Sequence, residues 1–270
     1  MKQTIVSVLG LSLALSSFAF AKETASLFDF AAYTSQGITS ACGDYNGRTA
    51  SAGPIELHDF LIRGGTSSAC ALSGDAQVTT FRGAVQDANS QPGCVSAKHY
   101  DPEFTLFSNQ TRSKLDYSAL NSALFNSSAA YHSAPESATI ARLELDEGTF
   151  QPGRIIHLKA AAGQTLVVDV AGPWINFVHM GIDLAPGLTA DHIVWNFFEA
   201  KYLGIALSGM NDLGVPGTVI APLATVRFQN ARITGALYAA KIIGQADDAP
   251  ECTGSNAGQI NAAPFAGERL

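Results

Sequence analysis

The sequence predicts a mainly β chain wound into a parallel β-solenoid, with one α-helix along a flank. Three observations lead there. The stretch GTVIAPLATVRFQNARITGALYAAKIIG (217 to 244) repeats itself: with Gly217 over Gly235, Val219 falls on Leu237, Ile220 on Tyr238 and Ala221 on Ala239, an offset of 18. Short apolar runs between Gly, Pro, Asn and Asp recur elsewhere at similar intervals, with Phe60 and Phe81 21 apart and Trp195/Val219 and Ala200/Ala224 each 24 apart. Glycine and small residues return in phase, as tight corners on stacked coils require. Finally, one segment alone, TRSKLDYSALNSALFNSSAAYHSAP (111 to 135), carries its apolar residues at helical rather than strand spacing.

Taken in order, the chain opens on Lys2, runs from Ile5 to Ala21 without a charge, and closes that run on Ala19-Phe20-Ala21. A basic start, a short apolar run and a small-x-small end predict a signal peptide over 1–21, cleaved after Ala21. Residues 22–270 then form one domain, long enough for a sizeable core. Runs such as PIELHDFLI and AQVTTFRGAV read as the first strands. The helix follows, over about 111–132. Leu115, Ala119, Leu120, Ala123, Leu124, Ser127/Ser128 and Tyr131 share one face, Thr111 is the expected N-cap and Pro135 the stop. That face is expected to lie along the solenoid. ARLEL, RIIHLKA, QTLVVDVAG, HIVWNFFEAKYLGI and the repeated pair supply the later coils.

Composition excludes several functions. The formal net charge is -7, and no Lys/Arg cluster offers a surface for nucleic acid or an anionic membrane. The best apolar stretch after Ala21, near 166 to 188, is interrupted by Asp169, Pro173, Asp183 and Pro186, so the mature chain is not expected to insert in a membrane. Only 14% of residues are charged, as suits a solenoid whose inward positions never meet water.

Cys42, Cys70, Cys94 and Cys252 are all in the mature part. An even count in an exported chain favours two disulfides with three connectivities open. Cys70 and Cys94 are about one coil apart, which favours that pair, leaving Cys42 with Cys252 to join the two ends. Closing the shorter loop is worth roughly 3 kcal/mol on the loop-entropy account. No cysteine pair has metal-site spacing. Asp247, Asp248 and Glu251 could hold calcium through clustered oxygens, but a solvated loop is the simpler reading.

Catalytic motifs are missing: there is no G-x-S-x-G, H-E-x-x-H, P-loop or C-x-x-C. His58, His99, His132, His157, His179 and His192 are scattered. Glu144, Asp146 and Glu147 form the densest carboxylate group, and Glu144 and Asp146 share a strand face, as an acid/base pair on a sugar would. Turn acidity is the plainer reading. No cofactor is called for.

The run SLFDFAAYTSQGITSACGDYNGRTASAGPIELHDFLI, with Gly47-Arg48-Thr49-Ala50-Ser51-Ala52-Gly53 before a first coil, resembles the opening of choice-of-anchor A domains. LDYSALNSAL, KAAAGQTLVVDVAG, IVWNFFEA, GTVIAPLATVRF, ITGALYAA and GQINAAPF resemble later parts of that family in order. The resemblance implies a right-handed parallel β-helix with a flanking helix, as in ice-binding proteins, and an adhesive or collagen-binding role at the outer surface. The family is named for C-terminal sorting signals. The run to Leu270 carries no sortase motif or apolar tail, so a covalent anchor is not expected.

The function expected from these readings is an exported, non-catalytic adhesive or binding module, meeting a surface polymer, a matrix protein or a glycan. Two alternatives are an ice-binding protein and a carbohydrate-active β-helix enzyme. Ice binding calls for Thr in one phase, whereas Thr79, Thr80, Thr165, Thr218, Thr225 and Thr234 do not keep one.

Overall fold

The computed structural model describes residues 25–58, 60–62, 66–68, 88–89, 95–98, 115–206, 213–244 and 258–270. The predicted signal peptide, Thr79, Thr80, Phe81, His99, Thr111 and the Asp247–Glu251 cluster lie outside the described residues.

The N-terminal part supplies β1 (Ala32–Ala41), β2 (Asp44–Asn46), β3 (Thr49–Ser51), β4 (Ile55–His58), β5 (Leu61–Ile62), β6 (Thr66–Ser68), β7 (Ala88–Asn89) and β8 (Val95–Lys98). Helix α1 (Tyr117–Ser133) follows. The remainder forms β9 (Ile140–Asp146), β10 (Ile155–Leu158), β11 (Thr165–Ala171), β12 (Trp174–Val178), β13 (Gly181–Leu184) and β14 (Ile193–Asn196). It ends with β15 (Tyr202–Ala206), β16 (Leu213–Pro216), β17 (Thr218–Gln229), β18 (Ala231–Thr234), β19 (Leu237–Ile243) and β20 (Gln259–Asn261).

Every strand pairing among the described residues is parallel. The fold is a β-helix with three faces. Face A runs β9-β11-β14-β17-β19-β1-β3-β6-β7 and face B runs β12-β15-β17-β19-β1-β4-β8. Face C consists of β10-β13 and β16-β18-β20-β2-β5. The long strands β1, β17 and β19 turn the corner between A and B, so each belongs to both.

The repeat that opened the sequence is a coil. Val219 pairs with Leu237, Ile220 with Tyr238 and Ala221 with Ala239. Val219 and Leu237 are fully buried in the solenoid core, while Ile220 and Tyr238 point the other way, beneath the helix. Trp195 pairs with Val219 at the expected offset of 24. The offset of 18 holds on face A and on face C, where Leu213 pairs with Ala231, but not on face B. Past the corner Thr225 pairs with Lys241 and Arg227 with Ile243, an offset of 16, and Tyr202 with Thr225 at 23 rather than the 24 of Ala200/Ala224. The corner at Pro222-Leu223-Ala224 absorbs the difference by bulging outward, leaving Leu223 half-exposed.

The stacking order is not the chain order. The N-terminal strand β1 lies on β19, Ala32 opposite Leu237 and Tyr33 opposite Tyr238. Residues from β9 to β20 thus build one end of the stack toward its middle, and β1 to β8 continue from there. The expectation that each coil packs on its neighbour in sequence fails at this junction. It fails because α1 runs along face A from Tyr33 of β1 to Arg142 of β9, so the chain starts its second series of coils at the far end and builds back to β1.

The helix starts later than predicted. Asp116, not Thr111, is the N-cap, its carboxylate accepting from the Ala119 N–H at 3.2 Å. Leu115 is buried ahead of the helix rather than on its face. Leu120, Leu124, Ser127, Ser128 and Tyr131 form the buried face and pack on Val167, Val194 and Ile220 of face A. Proline at 135 follows the C-cap Ala134, as expected. Inside the solenoid Phe177 packs edge-to-face against Phe150, ring centroids 4.7 Å apart, and against Trp195, which lies parallel to Phe197. The Trp195 indole donates to the Pro216 carbonyl at 2.7 Å, so its one polar atom is satisfied.

Candidate binding face

From β9 to β1, face A is covered. The C-terminal segment and α1 cover it, and a buried polar network fixes the helix end. The Asp169 carboxylate, almost fully buried, accepts from Asn196 Nδ2 (2.8 Å) and Arg142 Nη2 (3.2 Å) and lies 2.6 Å from His132 Nδ1. Arg142 also donates to the Tyr131 and Ala134 carbonyls at 2.8 and 2.7 Å, satisfying helix-end acceptors. The Ser128 hydroxyl donates to Asn196 Oδ1 at 2.7 Å, and the His132 ring stacks on Phe198 at 3.9 Å. Each member has its partners, and the Ser128 hydroxyl is buried within the set, so the network clamps the helix and offers no open nucleophile.

Face B differs. Seven strands run without interruption, about 29 Å across at ~4.8 Å per step, and its outward side chains meet solvent at Trp174, Asn176, Arg227 and Glu56. Alternation explains the display: Ile175 and Phe177 go inward from β12 while Trp174 and Asn176 go outward. Register then builds rows across the coils. One row reads Trp174, Tyr202, Thr225, Lys241, and the next Asn176, Gly204, Arg227, Ile243, Thr39, Glu56. Trp174 is 65% exposed, the most exposed large apolar side chain described, and its ring centroid lies 5.5 Å from that of Tyr202 at an interplanar angle of 32°. Gly204 is buried, because the Asn176 amide and the Tyr202 ring close over it. A Cβ there would sit 2.4 Å from Asn176 Oδ1 and 3.4 Å from the Tyr202 ring. Arg227 Nε donates to Gln229 Oε1 at 3.1 Å, which steadies the guanidinium above the sheet.

A cavity of about 380 Å³ lies at the corner of faces A and C, lined by Phe28, Arg48, Tyr238, Phe265 and Arg269 among others. Its cations are already used: Arg48 stands over the Phe30 ring at 4.9 Å and Arg269 over Phe28 at 5.4 Å. With Phe28 stacked on Phe265 at 5.2 Å, the cavity is the seam where the N-terminal turn grips the C-terminal segment.

The residues singled out from sequence are dispersed. Asp146 caps the turn Glu147–Thr149, accepting from the Thr149 N–H at 3.1 Å, and Glu144 is exposed, 3.9 Å from Arg142. Among the described residues no second carboxylate set is hydrogen-bonded or ion-paired with them. Of the histidines, His132 joins the helix clamp, His157 faces Asp183 at 3.2 Å on face C, and His192 contacts Asp191 at 3.1 Å. His179 sits in a turn at φ 55°, and His58 ends β4. Among the described residues no group of three or more His, Cys, Asp or Glu could hold a metal ion. The threonines fall on different surfaces: Thr165 and Thr218 are buried on face A, Thr225 is on face B and Thr234 on face C. Cys42 is buried just after β1, and no described cysteine is a free thiol. Cys70, Cys94 and Cys252 lie outside the described residues, and the connectivity with them. The Trp174/Tyr202 pair escaped the sequence reading, because 28 positions separate the two and no repeat of that length marks them.

Residues 23–247 match a family described as Putative Ice-binding-like adhesive domain. The chain belongs to that family. A search of curated proteins finds no match. Similar solved structures include an ice-binding protein from the Antarctic ascomycete Antarctomyces psychrotrophicus, at 13% identity, covering 92% of this chain and 99% of that one with a TM-score of 0.41. An ice-binding protein from an Antarctic biological consortium is similar at 9% identity, 96% and 94% coverage and a TM-score of 0.44. The DUF3494 domain of a Shewanella frigidimarina ice-binding protein is similar at 16% identity, 92% and 98% coverage and a TM-score of 0.36. Likeness at these values is distant and assigns no ligand. Among the described residues no helix is long and apolar enough to cross a membrane.

Proposed function

We propose that this ice-binding-like adhesive domain is an exported, non-catalytic surface module that binds its target through face B. The observation that carries the reading is that face A is covered by helix and C-terminal segment from β9 to β1, while the seven strands of face B present Trp174, Arg227 and Lys241 outward. A rigid ladder holds these groups at fixed spacing, so little ordering entropy opposes binding. The narrower assignment to choice-of-anchor A domains, suggested by the Gly47–Gly53 run and the closing coils, belongs to the same reading, as do signal-peptide export and disulfide pairing.

Ice binding is the rival, and the family description itself keeps it in view. What favours adhesion is the chemistry of face B. An ice surface is met by a regular array of small groups, whereas this face interleaves a tryptophan, an arginine, a lysine and a glutamate with only Thr39 and Thr225. The test attaches the protein to beads and measures their retention on a panel of glycan- and protein-coated surfaces, beside an ice-growth assay. Thr39→Glu with Thr225→Glu, mid-face, is expected to abolish retention, and Thr234→Glu on face C to leave it intact. Ice shaping without retention, or retention that survives both face B glutamates, defeats the proposal.

A further inference from the structure

We infer that the Trp174/Tyr202 end of face B is a subsite for an acidic polysaccharide, a proposal that rests on the binding role of that face. Two aromatic rings on adjacent coils lie 5.5 Å apart and only moderately tilted, one of them 65% exposed. That exposure has a cost for a soluble chain, and neighbouring groups on the described surface do not cover it. The C–H-rich face of a pyranose ring stacks on such a surface, and the ring separation is of the order of one sugar step along a polymer.

Charge selects the kind of sugar. The chain carries a net -7, yet the outward positions of β12, β15, β17 and β19 on this face hold Arg227 and Lys241 and no carboxylate. Lys201 adds an exposed cation at the corner leading into β15. Glu199, at the same corner, is engaged by the Gly172 N–H at 3.0 Å, and Glu56 lies three strands from Arg227. The guanidinium fork suits a carboxylate. The exposed Asn176 amide, which lies over Gly204, supplies a hydroxyl-binding group beside the two rings. Two or three cations beside one aromatic pair are too few to track a phosphate backbone, so a uronic-acid polymer fits better than a nucleic acid.

The experiment is electrophoresis of the full chain through native gels containing polygalacturonate, with neutral galactan, single-stranded DNA and collagen-coated surfaces as comparison arms. Polygalacturonate is expected to retard the protein, and added salt to weaken the effect. Trp174→Ala is expected to weaken retardation about tenfold, and Arg227→Gln to weaken it and flatten its salt dependence. Both residues are outward, so unchanged melting temperatures establish that the variants are folded. Preference for galactan or DNA, or retardation that ignores both substitutions, overturns the inference. Retention on collagen through face B without any on polygalacturonate also overturns it, while leaving the adhesive reading standing.

Discussion

Replacing Gly235 by alanine tests the coil packing at its tightest corner. Gly235 has φ +149°, and a Cβ built there lies 2.2 Å from the Gly217 carbonyl oxygen and 2.5 Å from its carbon. Both are backbone atoms of the preceding coil, so no side chain can rotate away. The residue must leave a conformation that costs an L-amino acid about 1–2 kcal/mol, and separating the coils adds roughly 1–3 kcal/mol. The expected loss is therefore about 2–5 kcal/mol, a large share of the ~5–15 kcal/mol that holds a domain together. In a domain of this size it lowers Tm by roughly 5–15 °C. Gly214→Ala is the matched control, since nothing lies within 4 Å of its Cβ, and it is expected to change stability by under about 0.5 kcal/mol. Thermal melts followed by circular dichroism read both. If Gly235→Ala melts with the parent, the Gly217/Gly235 corner is not packed as described and the eighteen-residue coil loses its basis.

Other outcomes follow from the same structure. Val219→Asp or Leu237→Asp buries an unpaired carboxylate at a fully buried position and is expected to cost several kcal/mol, about 3 or more, while exposed Arg227→Ala stays within about 0.5 kcal/mol; denaturant titrations separate them. Asp169→Ala strands Arg142 and Asn196 beneath the helix and is expected to cost about 3–5 kcal/mol, whereas His132→Ala, at a half-exposed ring, costs less by the same measurement. Burial raises the phenol pKa of Tyr33, Tyr45, Tyr131 and Tyr238 above the ordinary value of 10. Their contribution to stability is complete below pH 10 and is lost as pH rises above it, so absorbance titration should show these four ionising together with unfolding rather than near pH 10. Alkylation of native, unreduced protein is expected to label none of the four cysteines, and four labels would remove the two-disulfide framework.

The coil was legible because its signal is local: alternation within a strand and small residues at corners are enforced by neighbours a fixed number of positions away. Val219 over Leu237 and Trp195 beside Val219 could be read directly. Ala200/Ala224 could not, because corner length is free to vary once a side chain such as Leu223 can be turned out to solvent. The helix was legible from Leu120, Leu124 and Tyr131, but its start was not. Thr111 and Asp116 are both good caps, and the choice falls to the first residue whose turn can rest on face A. The Trp174/Tyr202 pair and the Asp169 network were invisible for a different reason. Each joins residues from separate coils or from helix and sheet, and which outward positions lie beneath α1 is a tertiary fact.

The pairing of β1 with β19 joins Ala32 to Leu237 across 205 positions of chain. The first strands to be synthesised have no template until nearly the last strand exists. The stack therefore cannot grow in the order of synthesis, and an emerging N-terminal segment has no completed neighbour against which to hide its strand edges. Contacts so distant in sequence slow the search for the native state. The same pairing also makes the molecule intolerant of shortening from its far end, for a cut before β19 would leave β1 to β8 with nothing to stand on.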